Sequence, residues 1–244
     1  MKAAEQSEAL GTYLDWDSDF FGRRIARAGR NRIDRATLAA LLEWCATNRI
    51  ECLYFLADSD DPETSYLAET NGFLLADMRM TFERKLQGIA QIPGADVIRL
   101  AREEDLAALR AIARTGHRDT RFYFDRHFDR SKCDLLYETW IEKSLRGFAQ
   151  SVLIAEVNRT PVAYITSHLR GAEAQIGIAG VDKRHQGMGL GSMLVQHFLS
   201  RAVKDGAKRA TVITQGRNVR AQRLYQNSGF VTASCQLWYH RWFP

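Results

Sequence analysis

The stretch Arg184–Val195, RHQGMGLGSMLV, sets Gly187, Gly189 and Gly191 within five residues and then runs straight into apolar sequence. Before it, EAQIGIAGV (173–181) reads as a strand. After it, Met193, Leu194, Phe198, Leu199 and Val203 share one face at helical spacing, and Gly206 closes that helix. A strand that feeds a helix through a glycine-rich turn points to an α/β fold. It also leaves backbone N–H groups and the positive end of the helix dipole facing an anion. Two common phosphate loops do not fit. In a GxGxxG fingerprint the third glycine falls on Ser192 or Leu194, depending on register, and the Gly-Lys-Ser/Thr ending of an ATP loop is absent.

The rest of the chain alternates in the same way. Ile25–Ala28 reads as a strand. Asp34 caps a helix with Leu38, Leu41, Leu42 and Cys45 inward, and ECLYFLAD (51–58) is a buried strand. Pro62 opens a helix that Gly72 ends, and FLLADMRMTFERKL follows as a strand. QGIAQIPGADV (87–97) has no period and reads as a linker. It separates an N-terminal α/β domain, residues 1–90, from a second domain, 96–244. The second domain begins with a strand at Val97–Leu100 and a helix facing Leu106, Leu109, Ile112 and Ala113 inward. An irregular aromatic and charged connection and a helix, DLLYETWIEKSLRG, follow. SVLIAEV and VAYITSHL form a hairpin through NRTP. RATVITQ is a strand, NVRAQRLYQNSGF a helix capped by Asn218, and VTASCQLWYHRW a last strand. SYLAETNGFLLADMRMTFER and RLYQNSGFVTASCQLWYHRW echo each other: tyrosine, then a Gly-Phe corner, then a long strand. The echo admits two readings, convergence on common helix stops or a worn internal copy.

The bulk properties exclude several classes. No run of about 18 apolar residues predicts a membrane span, and MKAAEQSEAL has no apolar core of a secretion signal, so a cytoplasmic protein is expected. Four scattered cysteines and six scattered histidines form no metal-binding pattern, and no metal is expected. The net charge of +5 is spread along the chain, which suits phosphorylated ligands and does not call for nucleic acid.

QGMGLG (186–191) fits Gln/Arg-x-x-Gly-x-Gly/Ala, and NVRAQRLYQNSGF fits Asn-x-x-Ala-x-x-Leu-Tyr-x-x-x-Gly-Phe about thirty residues on. In this order and on these elements, residues 96–240 resemble the GNAT acetyltransferases. The resemblance implies a GNAT fold: a central mixed, mostly antiparallel sheet flanked by helices, here with a smaller N-terminal domain like a partial GNAT half. It implies acetyl-CoA as co-substrate, with its pyrophosphate on the N–H groups of Gln186, Gly187, Met188, Gly189, Leu190 and Gly191. It also implies two splayed parallel strands, with Ile178, Gly180 and Val181 lining the pantetheine and thioester. Asn218 touches the cofactor arm or simply caps its helix. Tyr225 stands at the position of the general acid that protonates the leaving thiolate; packing of a buried aromatic is the other reading. A base is also needed for the acceptor ammonium, and Asp77, after the first Gly-Phe corner, is the candidate, an exposed loop carboxylate being the alternative.

WDSDFFGRRI and TRFYFDRHFDRSKCDLLYETWIEKSLRG resemble a narrower branch, the nucleotide-sugar N-acetyltransferases of the TDP-fucosamine type. Arg121, Phe122, Asp125, Phe128, Tyr137 and Trp140 match that signature, and Thr120 stands where the branch often has serine. The acceptor implied is an amino-deoxy sugar on a nucleoside diphosphate, in surface-glycan synthesis. Arg121 would pair with a phosphate, and Phe122 or Tyr123 would stack on base or sugar; surface exposure and core packing are the alternatives. Two other functions stay open: acetylation of a protein N-terminus, lysine or other small amine, and an inactive CoA-binding module. Oligomeric state is open too, a homodimer included.

Overall fold

A computed structural model describes residues 9–89 and 97–244. The first eight residues and most of the linker expected at 87–97 lie outside the described residues. The elements run in the order β1 (Gly11–Tyr13), α1 (Asp15–Phe21), β2 (Ile25–Ala28), α2 (Arg35–Thr47), β3 (Cys52–Asp58), α3 (Pro62–Thr70), β4 (Leu74–Lys85), β5 (Ile98–Leu100), α4 (Leu106–Gly116), α5 (Arg121–Phe124), α6 (Arg130–Lys143), β6 (Ser151–Val157), β7 (Thr160–Arg170), β8 (Glu173–Val181), α7 (Leu190–Lys204), β9 (Arg209–Gln215), α8 (Val219–Asn227) and β10 (Val231–Trp242). The short β1 and α1 carry no clear apolar period, and sequence reading does not find them.

The chain forms two compact units. Of the described residues, the first holds 9–79, 124–129 and 235–244; the second holds 80–89, 97–123 and 130–234. The divisions therefore fall inside β4 and β10, and each unit takes in a strand segment that is distant in sequence from most of its partners.

In the first unit, β1 pairs antiparallel with β2, β2 parallel with β3, and β3 antiparallel with the end of β10, from Gln236 opposite Asp58 to Trp242 opposite Cys52. β3 is buried almost throughout, as a central strand with both faces covered should be. Leu38, Leu41 and Cys45 of α2 sit at helical spacing and pack into a core with Leu53, Phe55, Phe73 and Tyr239. Asp34 caps α2 by accepting from the Thr37 N–H at 2.7 Å, so a carboxylate already occupies this helix start.

In the second unit, β5, β6, β7 and β8 pair antiparallel in sequence order, and β8 pairs parallel with β9. The end of β4 joins this unit: Phe82 and Leu86 are buried in its core, and the Leu86 N–H donates to the Lys208 carbonyl. α7 buries Leu190, Leu194, Val195, Phe198, Leu199 and Ala202. Met193 and Val203, expected in that stripe, are only partly buried at its margin. α4 buries Leu109, Ile112 and Ala113, with Leu106 half-exposed. Arg99 of β5 ties the start of α4 to β6, donating to Asp105 at 2.7 and 2.9 Å and to Glu156 at 2.9 Å.

The echo seen in the sequence extends to the lengths of the elements around it. β3, α3 and β4 are 7, 9 and 12 residues long, and so are β9, α8 and β10. Gly72 and Gly229, after the two helices, share φ near +77° and +78°. Counting from the start of each helix shifts the sequence match by two residues, however. Buried Ala68, not exposed Tyr66, stands where the second repeat has Tyr225.

Candidate active site

The glycine loop leaves β8 at Val181. Asp182 turns the chain by accepting from the Arg184 N–H at 2.8 Å while holding the Arg184 guanidinium at 2.9 Å. The Gln186 side chain spans two elements: its amide donates to the Val181 carbonyl at 3.2 Å, and its oxygen accepts from Arg220 of α8. Gly187 and Gly189 have φ of +86° and +79°, and a Cβ at either would meet nothing within 4 Å. Glycine is needed there for backbone conformation rather than for space. Gly191 is different. A Cβ there would lie 3.3 Å from Leu224, so it permits the close approach of α7 to α8. Met188 is exposed and Leu190 is buried, which anchors the loop on its helix side. The first backbone bond of α7 runs from the Met193 N–H to the Gly189 carbonyl. The preceding N–H groups of Leu190, Gly191 and Ser192 thus have no partner inside the helix, and Gly189 adds no side-chain cap. This is the donor set an anionic diphosphate requires.

Beside the loop, β8 and β9 part. Their parallel register covers Glu173–Ile176 against Arg209–Val212 and stops, while β8 continues to Val181 and β9 to Gln215. On its other edge β8 carries a bulge: Ile165 faces Ala179 and Ser167 faces Ile176, so Thr166 opposes both Gly177 and Ile178. The Ile178 N–H donates to Thr166 Oγ1 at 2.9 Å. Ile178 therefore offers a ligand its side chain and carbonyl rather than that N–H. Gly180 faces Tyr164 of β7, and a Cβ at 180 would stand 2.8 Å from the Tyr164 ring.

Tyr225, on α8, is buried against Phe82 and Phe230, with ring centroids 6.4 and 5.9 Å away. Burial pushes its hydroxyl up to about 12, so it keeps its proton throughout the neutral range. Asn218 caps α8, accepting from the Ala221 N–H at 3.1 Å. The loop, the splayed strands, Asn218 and Tyr225 all belong to the second unit. Asp77 belongs to the first; it is a buried residue of β4, not a loop carboxylate, and it accepts from the Met78 N–H at 2.8 Å.

The 121–123 segment is more committed to packing than its composition suggests. Phe122 is buried, and the Arg121 guanidinium lies 4.3 Å over its ring. The Tyr123 hydroxyl is bonded to Asp134, and burial first, with that carboxylate second, pushes its pKa up. Asp125, fully buried in the first unit, accepts from His240 Nδ1 at 2.7 Å, Trp242 Nε1 at 2.8 Å and the His127 N–H at 3.0 Å. Phe128 packs on the rings of Phe21, His240 and Trp242. Two residues that sequence reasoning did not single out emerge in the second unit. His117, at the end of α4, stacks on Tyr137 with centroids 4.4 Å apart and meets the Tyr164 hydroxyl through Nε2 at 2.7 Å. A polar pair contributed by different elements leaves no local spacing to read. Among the described residues no group of three or more His, Cys, Asp or Glu could hold a metal, and no helix is long and apolar enough to cross a membrane.

A parallel strand pair that splays next to a glycine-rich helix start, with a tyrosine on the following helix, offers anion-facing N–H groups, a gap in the sheet edge and a phenol within one unit. The family model for the acetyltransferase (GNAT) family matches residues 96–230, more than half of the chain. The chain belongs to this family of acetyl-CoA-dependent N-acetyltransferases. It is 25% identical over 138 residues to the spore coat polysaccharide biosynthesis protein SpsD of Bacillus subtilis, covering 57% of this chain and 48% of that protein. The chain thus spans about half the length of SpsD. It is 27% identical over 244 residues to the mycothiol acetyltransferase of Kineococcus radiotolerans, covering 92% of this chain and 74% of that one. A structure of a functionally unknown conserved protein from Staphylococcus epidermidis shares the fold, with a TM-score of 0.69 at 14% identity over 100% of this chain and 94% of that chain.

Proposed function

We propose that this protein moves the acetyl group of acetyl-CoA to the primary amine of an amino-deoxy sugar held on a nucleoside diphosphate. The observation that carries the transferase part is the open N-terminus of α7 beside the splay of β8 and β9, with protonated Tyr225 in the same unit. In this reading the N–H groups of Gln186–Gly191 bind the diphosphate of acetyl-CoA, and Ile178, Gly180 and Val181 line its thioester. Asn218 supports the cofactor arm from the start of α8. Tyr225 donates its proton to the departing thiolate; a phenol matches a thiolate in basicity far better than a carboxylic acid does. The acceptor rests on the SpsD relationship and on the Arg121–Trp140 signature, with Arg121 pairing with the sugar nucleotide's phosphate and Phe122 and Tyr123 shaping the pocket wall. A cytoplasmic location is part of this reading, since both proposed substrates are charged and do not cross a membrane unaided.

The relationship to mycothiol acetyltransferase favours a second reading, acetylation of another small amine. Thiol release from acetyl-CoA separates the readings. A TDP-4-amino-4,6-dideoxyhexose should support turnover, while glucosamine and lysine or N-terminal peptides should not. Turnover only with the other amines supports the second reading. Acetyl-CoA binding by calorimetry, with no turnover on any of them, marks an inactive binding module.

A further inference from the structure

The second unit contains a polar pair that the general-acid chemistry of Tyr225 leaves unused. Tyr164 lies in the middle of β7 and is fully buried, yet its neighbour across the strands is Gly180. The missing side chain at 180 is what makes room for it: a Cβ there would stand 2.8, 3.0 and 3.1 Å from Cε1, Cζ and the hydroxyl oxygen of Tyr164. The phenol thus sits directly against the backbone stretch assigned above to the thioester. Its hydroxyl is 2.7 Å from His117 Nε2. The imidazole is fixed on its other side by stacking on Tyr137, which is itself edge-on to Trp140 at 5.3 Å. Tyr137 and Trp140 are two of the residues that carry the sugar-nucleotide signature.

The surroundings keep the imidazole unprotonated at rest. The titratable groups packed on His117 are Tyr164 from β7 and Tyr137 from α6; Gly180 of β8 contributes none. On its own helix Arg114 is engaged with Glu138, at 3.5 Å. Burial lowers the His117 imidazole to about 4, and no charged neighbour adds to that shift. The ring is therefore neutral at pH 7, and in the tautomer protonated on Nδ1 its Nε2 lone pair accepts from the Tyr164 O–H.

We infer that Tyr164 and His117 form a proton relay that deprotonates the acceptor amine, an inference that rests on the acetyl-transfer reading of this site but not on the acceptor's being a sugar nucleotide. The acceptor ammonium gives one proton to Tyr164 Oη as the Tyr164 proton passes to His117 Nε2. The freed nitrogen lone pair forms the C–N bond as the C–S bond breaks, and the thiolate takes its proton from Tyr225. The second proton on nitrogen returns Tyr225 to its phenol form, and His117 releases the first to solvent. The sum is one amide, one thiol and one proton.

Three variants, Tyr164→Phe, His117→Asn and Asp77→Asn, test this with TDP-4-amino-4,6-dideoxygalactose and with glucosamine as acceptors, measured from pH 5 to 9. Tyr164→Phe and His117→Asn should lose 10²- to 10⁴-fold in kcat. Their rates should rise steadily with pH relative to wild type and recover in part with added imidazole, while acetyl-CoA affinity stays within about threefold. Asp77→Asn should keep the wild-type pH profile. A wild-type profile in His117→Asn, or one altered in Asp77→Asn alone, overturns the relay. If neither acceptor turns over, the proposed acceptor fails, and NMR titration of the His117 Cε1–H with CoA bound still decides the relay. A neutral ring at pH 7 whose titration shifts in Tyr164→Phe supports it. A ring protonated at pH 7, or a titration indifferent to Tyr164, overturns it.

Discussion

Gly187 and Gly189 differ in kind from Gly191, and substitution should expose the difference. Alanine at 189 would have to adopt φ near +79°, at a cost of about 1–2 kcal/mol. With open space around it, the fold survives while the loop relaxes away from its N–H-forward shape. Gly189→Ala should therefore remain folded and lose acetyl-CoA affinity by tenfold or more in calorimetry. Tyr225→Phe should also fold normally, since the ring packing against Phe82 and Phe230 is kept, but it should lose most of its turnover. Unchanged turnover would reduce Tyr225 to a packing residue. The raised Tyr225 pKa carries a further expectation with a definite sign. The donor is the neutral phenol, so raising its pKa to about 12 moves any alkaline fall in kcat upward. Wild-type kcat should show no fall assignable to this group below about pH 10, near the ordinary phenol value.

At the scale of elements, Asp125 fastens the Phe124–Asp129 segment to the end of β10. Burial alone would raise its pKa, but the bonds from His240, Trp242 and His127 together outweigh that and hold it well below the ordinary carboxylate range. A carboxyl group depressed in the folded state stabilises the fold above its unfolded pKa near 3.9, and that stability is lost as pH falls further. Asp125→Asn should cost about 3 kcal/mol at pH 7 in chemical denaturation. The gap to wild type should narrow below about pH 4. An equal gap at pH 3 and pH 7 would refute the assignment. The same element scale explains why part of the sugar-nucleotide signature was readable as a pattern but not as a role. Asp125 and Phe128 are buried in packing and hydrogen bonds, and Tyr137 stacks on His117 with Trp140 edge-on behind it. The spacing of such residues is visible in a sequence; their partners, in β10 and α4, are not.

For the whole molecule, the two units each depend on strand segments supplied from elsewhere in the chain. Phe82 and Leu86 complete the core of the second unit, although they precede the linker expected near residue 90. A fragment of residues 96–244 should therefore fail to fold cooperatively, whereas one beginning before Met80 retains these side chains. Circular dichroism melting of the two fragments checks this; a sharp transition in the shorter one would contradict it.

Local pattern was enough to find nearly every strand and helix, the caps at Asp34 and Asn218, the glycine loop and Tyr225. Each depends on spacing along a few turns of chain, and backbone geometry converts that spacing directly into a face, a cap or an open helix end. Tertiary structure alone decided the rest. It set which strand ends complete which unit, matched Tyr225 to Ala68 instead of Tyr66, committed the Ile178 N–H to Thr166, and put His117 on Tyr164 beside Gly180. Those outcomes depend on pairing between segments far apart in sequence, where register and burial choose the partner and no local period records the choice.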